Sequence, residues 1–194
     1  ESLQILREME QQGIRRVWLT PHIMEDIPNE TLALQRKFRE LLQQYRGAVE
    51  LKLAAEYMLD NLFEERLEKE DLLLLEEGKR FLLVETSYFN PPMDFLSVLQ
   101  RIQKKGYYPL LAHPERYEYM QKEDYNTLKE EHISFQLNLP SLAGMYGKRV
   151  QGKAEWILRN GMYDRMGCDT HSCHRYQQML FSSIKHNQTK LLDG

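Results

Sequence analysis

The spacing of hydrophobic residues changes repeatedly along the chain between a helical and an extended pattern. Apolar residues three or four positions apart predict helices, and short uninterrupted apolar runs predict buried strands. The predicted helices span residues 2–12, 31–46, 62–70, 95–105, 122–130 and 153–160. The predicted strands span residues 16–20, 49–55, 80–85, 107–112, 133–138 and roughly 163–168.

Residues at the ends of these segments support the assignment. Asn29 or Thr31 could cap the second helix, because a short polar side chain can accept a hydrogen bond from the first helical turn. Gly13 and Gly106 are suited to end the helices that precede them. Pro21 follows the first strand directly and is predicted to stop it.

Strands that alternate with helices imply a parallel sheet, since each crossover connection needs a helix to return the chain. The pattern fits an open doubly wound sheet and a closed barrel with outer helices equally well. In both architectures, functional side chains gather at the carboxyl ends of the strands. The residues that follow each predicted strand are therefore the candidates for function.

Imidazole and carboxylate side chains follow four of these strands. Each one singly is also consistent with an ordinary turn or surface residue, but together they are the groups that bind zinc, manganese or iron. Asp169 and His171 are two residues apart, so in an extended segment both would face the same side. The candidate metal ligands are His22, Glu56, His113, Asp169 and His171.

Two arginines near these residues could bind phosphate oxygens. Arg116 follows His113 by three residues, although an ion pair with Glu115 or Glu118 is an alternative. Arg175 could provide a second contact or be a solvated arginine. Asn138 could contact a substrate or cap its strand. The tyrosines near strand ends could form an aromatic pocket for an aromatic ligand or line an interdomain or subunit surface, namely Tyr57, Tyr88, Tyr117 and Tyr119.

Composition narrows the range of functions. With 194 residues and 42% hydrophobic residues the chain can form one domain, and its formal net charge of −3 argues against nucleic-acid binding. It has no apolar stretch long enough for membrane insertion and no signal-peptide pattern, which predicts a cytoplasmic protein. Neither Cys168 nor Cys173 begins a Cys-x5-Arg phosphate-binding loop, so a cysteine nucleophile is not expected.

These residues resemble a known family. It is the PHP (polymerase and histidinol phosphatase) superfamily, and within it the manganese-dependent protein-tyrosine phosphatases encoded with bacterial capsular and exopolysaccharide genes. The resemblance covers essentially the whole chain and is specific only when its motifs are taken together and in order. The motifs span residues 19–22, 54–57, 82–86, 111–117, 135–138 and 168–171.

The resemblance implies a fold and a metal site. The fold would be α/β, a distorted TIM-like (β/α)7 barrel that holds up to three divalent ions. Manganese would be the metal, with iron, zinc or cobalt as alternatives. The ligands would be His22, Glu56, His113, Asp169 and His171, with Glu56 bridging two ions and Arg116 contacting phosphate.

One feature of the family is missing from this chain. Members have a His-x-His pair at the end of the first strand, and this chain contains no such pair. We therefore expect a single domain over residues 1–194 from which the first strand has been lost by truncation. Such a chain would bind metal incompletely and be weakly active or inactive, and its open sheet edge could lead to homo-oligomers.

The expected reaction is hydrolysis of phosphotyrosine in a protein, most directly a bacterial tyrosine kinase that controls polysaccharide assembly. Arg116, together with Arg175, would stabilise the phosphoryl oxygens, and His171 could act as an acid unless metal binding competes. One alternative is a small-molecule phosphatase of the histidinol-phosphate type. The other is a catalytically silent barrel that acts as a scaffold.

Overall fold

The computed structural model describes residues 1–76 and 80–181, which form two compact units. The first unit contains residues 1–87 and 91–110, and the second contains 88–90 and the described residues from 111 onward. Helices of the first unit are α1 (Ser2–Gln11), α2 (Thr31–Gln44), α3 (Asn61–Lys69) and α4 (Phe95–Lys104). Its strands are β1 (Arg16–Leu19), β2 (His22–Ile23), β3 (Glu50–Leu53), β4 (Glu56–Met58), β5 (Leu75–Glu76) and β6 (Arg80–Glu85).

Strand β7 (Tyr108–Ala112) begins in the first unit and ends in the second. After it come a 3-10 turn (Pro114–Arg116), α5 (Lys122–Glu130), β8 (Ser134–Asn138), α6 (Leu139–Leu142), α7 (Gly147–Arg159), β9 (Arg165–Gly167) and α8 (Cys173–Phe181). None of the helices in the two described stretches is long and apolar enough to span a membrane.

Parallel strand pairing is present on both sides of Pro21. Strand β1 pairs in parallel with β3, and β2 pairs with β4 at the same sequence offset, so that His22 lies opposite Glu56. Across the interruption, the Glu56 amide donates a hydrogen bond of 3.1 Å to the carbonyl of Pro21. Strand β1 ends at Leu19, so the strand stops before Pro21 as predicted, and parallel pairing resumes at β2 because proline lacks a donor but keeps an acceptor.

The rest of the first unit's sheet is built on β6. Strand β4 pairs with β6 in parallel, and β5 pairs with β6 antiparallel. Residues 81–85 of β6 are all buried, as expected for a strand covered on both faces. Helix α4 buries Val98, Leu99 and Ile102, which confirms the face predicted from their helical spacing.

In the second unit, β8 and β9 pair in parallel, from Gln136 opposite Arg165 to Asn138 opposite Gly167. The amide of His113 donates to the carbonyl of Gln136 over 2.9 Å, which fixes the chain just after β7 beside β8. Helices α6 and α7 pack their apolar faces on Leu137 of β8, forming a small core. These contacts hold the carboxyl ends of the strands in place.

Several predicted boundaries need correction. Neither Asn29 nor Thr31 caps α2, since its N-cap is Glu30. The side-chain amide of Asn29 instead donates to the backbone carbonyl of His22 over 2.9 Å. The predicted strand over residues 49–55 is shorter in the structure, where β3 covers Glu50–Leu53 and a separate strand, β4, begins at Glu56. Helix α7 begins at Gly147 rather than Lys153, and α6 and α8 were not predicted.

Candidate active-site residues

Three side chains from adjacent strands meet in the first unit. His22 begins β2, Glu56 begins β4 and Glu85 ends β6. The Nδ1 atom of His22 lies 2.9 Å from Glu85 Oε1 and 3.9 Å from Glu56 Oε2. Parallel pairing of the three strands sets these distances, so the side chains are placed by the backbone register.

The chemistry of this group suits a divalent cation. The carboxylates of Glu56 and Glu85 are almost completely buried, and each provides an oxygen within 4.8 Å of the other. Two negative charges this close in a low-dielectric environment repel each other strongly unless a cation or proton intervenes. Carboxylate oxygens beside an imidazole nitrogen are a donor set that manganese, iron and zinc accept.

Glu85 was not among the predicted ligands. It is the last residue of a strand whose other buried members, 81–84, are apolar, and its own exposure is only 3%. A carboxylate that is buried at the carboxyl end of such a run needs a partner, because an uncompensated buried charge is costly. That position was the one signal in the sequence that could have identified it.

Arg116 is held by three side chains of the second unit. Its guanidinium carbon lies 4.5 Å from the ring centre of Tyr88 and 4.4 Å from that of Tyr146. Its Nη1 donates a hydrogen bond of 2.6 Å to Oδ2 of Asp169. Burial alone would lower the pKa of Arg116, but Tyr88, Tyr146 and Asp169 raise it above its ordinary value. The guanidinium therefore stays charged at all physiological pH values.

The alternative ion pairs considered for Arg116 are not observed. Glu118 contacts Arg149 instead, with an oxygen 3.5 Å from its Nη1. Glu115 is fully buried and accepts hydrogen bonds from the backbone amide of Asn138 at 3.0 Å and the Tyr163 hydroxyl at 2.9 Å. Burial raises the pKa of Glu115. Its role is to anchor the 3-10 turn that carries Arg116.

Asp169 is the centre of this second group. Its Oδ2 also accepts a hydrogen bond of 3.3 Å from the side-chain Nδ2 of Asn138, and its Oδ1 lies 2.9 Å from Nε2 of His171. The predicted local pairing of residues 169 and 171 is therefore confirmed. Asn138, whose role the sequence left open, is a contact of Asp169 and lies 3.4 Å from the Tyr146 hydroxyl.

His113 and Asp169 share an unusual backbone conformation. Their φ angles are +35° and +42°, in the left-handed region that non-glycine residues seldom occupy. His113 directly follows β7 and is the N-cap of the 3-10 turn, and Asp169 lies two residues beyond the end of β9. Such strain is concentrated at functional sites, because the surrounding structure must maintain it.

The ring of His113 is enclosed by aromatic side chains. It lies 5.7 Å from the ring centres of both Tyr88 and Tyr117, and its residue exposure is 3%. Tyr117 in turn stacks on Tyr119 with ring centres 5.7 Å apart. Three of the four tyrosines proposed for an aromatic pocket therefore do lie together in this unit.

Comparison with known proteins places these residues in a family. The family model for capsular polysaccharide synthesis, CpsB/CapC, matches residues 1–191. The chain belongs to the CpsB/CapC family. This agrees with the resemblance drawn from the motifs and with the PHP superfamily.

Relatives within the CpsB/CapC family are named as phosphatases. The tyrosine-protein phosphatase YwqE of Bacillus subtilis is 26% identical over 179 residues, covering 89% of this chain and 70% of its own. The tyrosine-protein phosphatase CpsB of Streptococcus pneumoniae is 26% identical over 189 residues, covering 89% and 75%.

The fold of the chain matches that of family members of known structure. A chain from the crystal structures of YwqE and CpsB, described as unique metal-dependent tyrosine phosphatases, has a TM-score of 0.78 and 23% identity. The match covers 99% of this chain and 83% of that one. The predicted α/β fold is thereby confirmed.

Arg175 and the two cysteines are the remaining residues considered from the sequence. Arg175 on α8 is exposed and its guanidinium lies 5.9 Å from the ring centre of Tyr146. Both cysteines are free, and burial raises the pKa of the Cys168 thiol, which disfavours the thiolate. A cysteine nucleophile is not supported.

The structure brings the predicted residues together within each unit. His22 and Glu56 are neighbours in the first, and Arg116, Asp169 and His171 are in contact in the second. His113 lies among tyrosines of the second unit. That all five predicted ligands bind the same cluster of cations stays a prediction.

Proposed function

We propose that this chain is a metal-dependent protein-tyrosine phosphatase. The observation that carries the proposal is membership of the CpsB/CapC family over residues 1–191, with two relatives named as tyrosine-protein phosphatases. The charged arginine held by Tyr88, Tyr146 and Asp169 supports it, since phosphate recognition requires a fixed cation.

The metal ligands we propose are the five found from the sequence together with Glu85. Manganese is the proposed metal, in up to three sites, with iron, zinc and cobalt as alternatives. Bound divalent ions would offset the charge of the phosphate monoester and lower the pKa of an attacking water. The proposed ligands are His22, Glu56, Glu85, His113, Asp169 and His171.

Arg116 is proposed to bind the phosphoryl oxygens that gain charge in the transition state. Its planar guanidinium can donate two parallel hydrogen bonds, and the flanking rings restrict rotation about its long axis. Because Asp169 occupies only Nη1, other N–H groups are available for a substrate oxygen. Arg175, whose guanidinium carbon lies 5.9 Å from the Tyr146 ring centre, is proposed as a second, weaker contact.

The leaving group favours tyrosine over serine as the substrate. A phenol has a pKa of about 10, so a tyrosine phenolate departs with less help from an acid than a serine alkoxide does. His171 is the proposed proton donor; it is half exposed and paired with Asp169, which orients the ring. Metal coordination by the same ring would compete with that role.

Finer features of fold, partner and location remain proposals. We propose that the curled parallel sheet belongs to a TIM-like (β/α)7 barrel and that the residues form a single domain. The substrate we propose is a phosphotyrosine-containing protein, in the first instance a bacterial tyrosine kinase of capsule synthesis. The cytoplasmic location, the low activity of this chain by itself and homo-oligomer formation stay predictions.

The experiment compares three substrates for the intact protein. Turnover of a phosphotyrosine peptide, the matched phosphoserine peptide and histidinol phosphate is measured with manganese and after chelation. We expect the phosphotyrosine peptide to have the highest kcat/KM and to depend on manganese. Preference for histidinol phosphate would refute the proposed substrate, and undiminished turnover after chelation would refute the proposed chemistry.

A further inference from the structure

A groove in the second unit lies between the start of α5 and one face of α7. Its volume is about 290 Å³, and its lining includes Met120, Lys122, Arg149, Lys153 and Trp156. Among the residues that the structure describes, the lining contains three cations and no acidic side chain. A cleft of this composition attracts anions, because low-dielectric walls focus the field of the charges.

The three cationic side chains of the lining all lie around the same groove. Arg149 and Lys153 are one turn apart on α7 and therefore share a face. The Nζ of Lys122 lies 5.4 Å from the ring centre of Trp156 on the next turn of α7. The carboxylate of an acidic side chain in the groove would lie near these cations, and its methylene groups would contact the Trp156 ring.

The positive charge of the groove is only partly offset, since Glu118, which is not part of the lining, has an oxygen 3.5 Å from the Nη1 of Arg149. The Nζ of Lys153 donates to the carbonyls of Tyr117 and Met120 over 2.6 and 2.7 Å, which fixes it in place. Burial lowers the pKa of Lys153 and the nearby charge of Arg149 lowers it further, while Glu118 and Asp124 act in the opposite direction without reversing the result. A bound carboxylate would reduce this repulsion.

The same hydrogen bonds connect the groove to Arg116. Lys153 holds the segment that follows Arg116 directly, and Met120 is only four residues further along the chain. Four residues span at most about 14 Å. An extended peptide advances about 3.3 Å per residue, so a peptide bound at Arg116 can reach the groove within about five residues.

We propose that this groove binds a glutamate or aspartate side chain of the substrate, within about five residues of its phosphotyrosine. The inference rests on the proposed function, since it takes Arg116 as the phosphate contact. It adds a specificity determinant, namely a preference for acidic sequence beside the phosphorylated tyrosine.

Kinetics on paired peptides test the groove directly. One phosphotyrosine peptide has flanking glutamates and the other has glutamines at the same positions. The ratio of their kcat/KM values is measured for the wild-type protein, for Lys122→Gln/Arg149→Gln and for Lys148→Gln/Arg159→Gln. The last variant changes charge equally on the same helix but outside the groove lining. Because each ratio is taken within one protein, partial loss of folded enzyme cancels.

The wild-type ratio should favour the glutamate peptide about three- to tenfold, as expected for two exposed ion pairs. It should fall to about one in Lys122→Gln/Arg149→Gln and persist in Lys148→Gln/Arg159→Gln. A wild-type ratio of one, or a groove variant that keeps the full preference, would overturn the proposal.

Fluorescence provides a readout that does not need catalysis. The chain has two tryptophans, so in a Trp18→Phe background the signal comes from Trp156 alone. Unphosphorylated glutamate peptide should change this signal, less so at high salt, and glutamine peptide should not. If the fluorescence does not change, the proposed groove is wrong, whether or not the protein is a phosphatase. A response without hydrolysis of p-nitrophenyl phosphate by the wild type would support the groove and refute the proposed function.

Discussion

The two units hold their candidate ligands in different ways. In the first, His22, Glu56 and Glu85 belong to β2, β4 and β6, so paired strands fix their spacing. In the second, Asp169 and His171 follow β9 in irregular backbone and are held by side-chain contacts. A strand register cannot shift by less than a residue, whereas side-chain contacts can rearrange. The first group is therefore the better candidate for permanent metal ligands, and the second for groups that respond to substrate.

The largest expected effect is at Glu85. We expect Glu85→Gln to lose bound metal and to reduce kcat/KM for phosphotyrosine peptide by roughly a hundredfold or more, since even partners of metal ligands cost 10–100-fold. Elemental analysis and steady-state kinetics measure the two quantities. The control is Glu50→Gln, which alters an exposed glutamate of β3 paired with Arg16. Normal metal content and activity in Glu85→Gln would remove the first group from the metal site.

A smaller effect is expected when the charge of Arg116 is kept and its shape is changed. Arg116→Lys cannot make paired hydrogen bonds or stack between Tyr88 and Tyr146. We expect kcat to fall roughly tenfold to a hundredfold while metal content stays near that of the wild type. Arg159→Lys, on the exposed surface of α7, is the matched control. If Arg116→Lys instead lost its metal, the distinction between the two groups would fail.

The smallest effect is expected at Tyr146, whose ring covers one face of Arg116. Tyr146→Leu should lower kcat by about two- to thirtyfold, because a cation–π contact contributes about 0.5–2 kcal/mol. Tyr146→Phe keeps the ring and loses only the hydroxyl near Asn138, so its kcat should remain within about twofold of the wild type. Equal losses in the two variants would show that the ring does not position the arginine.

The difference between the units also explains what the sequence could predict. Strand β6 and helix α5 match their predicted ranges in full, since each has an uninterrupted pattern and clear ends. Strand β2 has only two residues, too few for any periodicity, and was missed. Helix α7 begins at Gly147, where φ is +87°, and a glycine with this conformation reads as loop rather than helix.

Which site residues could be predicted from the sequence also depends on where they lie in the fold. Ligands that follow strands were found because the carboxyl ends of parallel strands are the expected location of function. Glu85 was missed because it is the last residue of its predicted strand, whereas the other candidates follow the predicted ends of theirs. Tyr146 was missed because it lies between α6 and α7, and only the fold brings it to Arg116. Contacts between distant loops depend on packing that no spacing rule encodes.

The proposed hydrolysis depends on bound metal ions. The most direct test measures phosphotyrosine-peptide hydrolysis by the intact protein, together with its transition-metal content, before chelation, after chelation and after manganese is restored. We predict that chelation removes the metal and abolishes hydrolysis, and that manganese restores it. Full hydrolysis by protein that contains no transition metal would contradict the account.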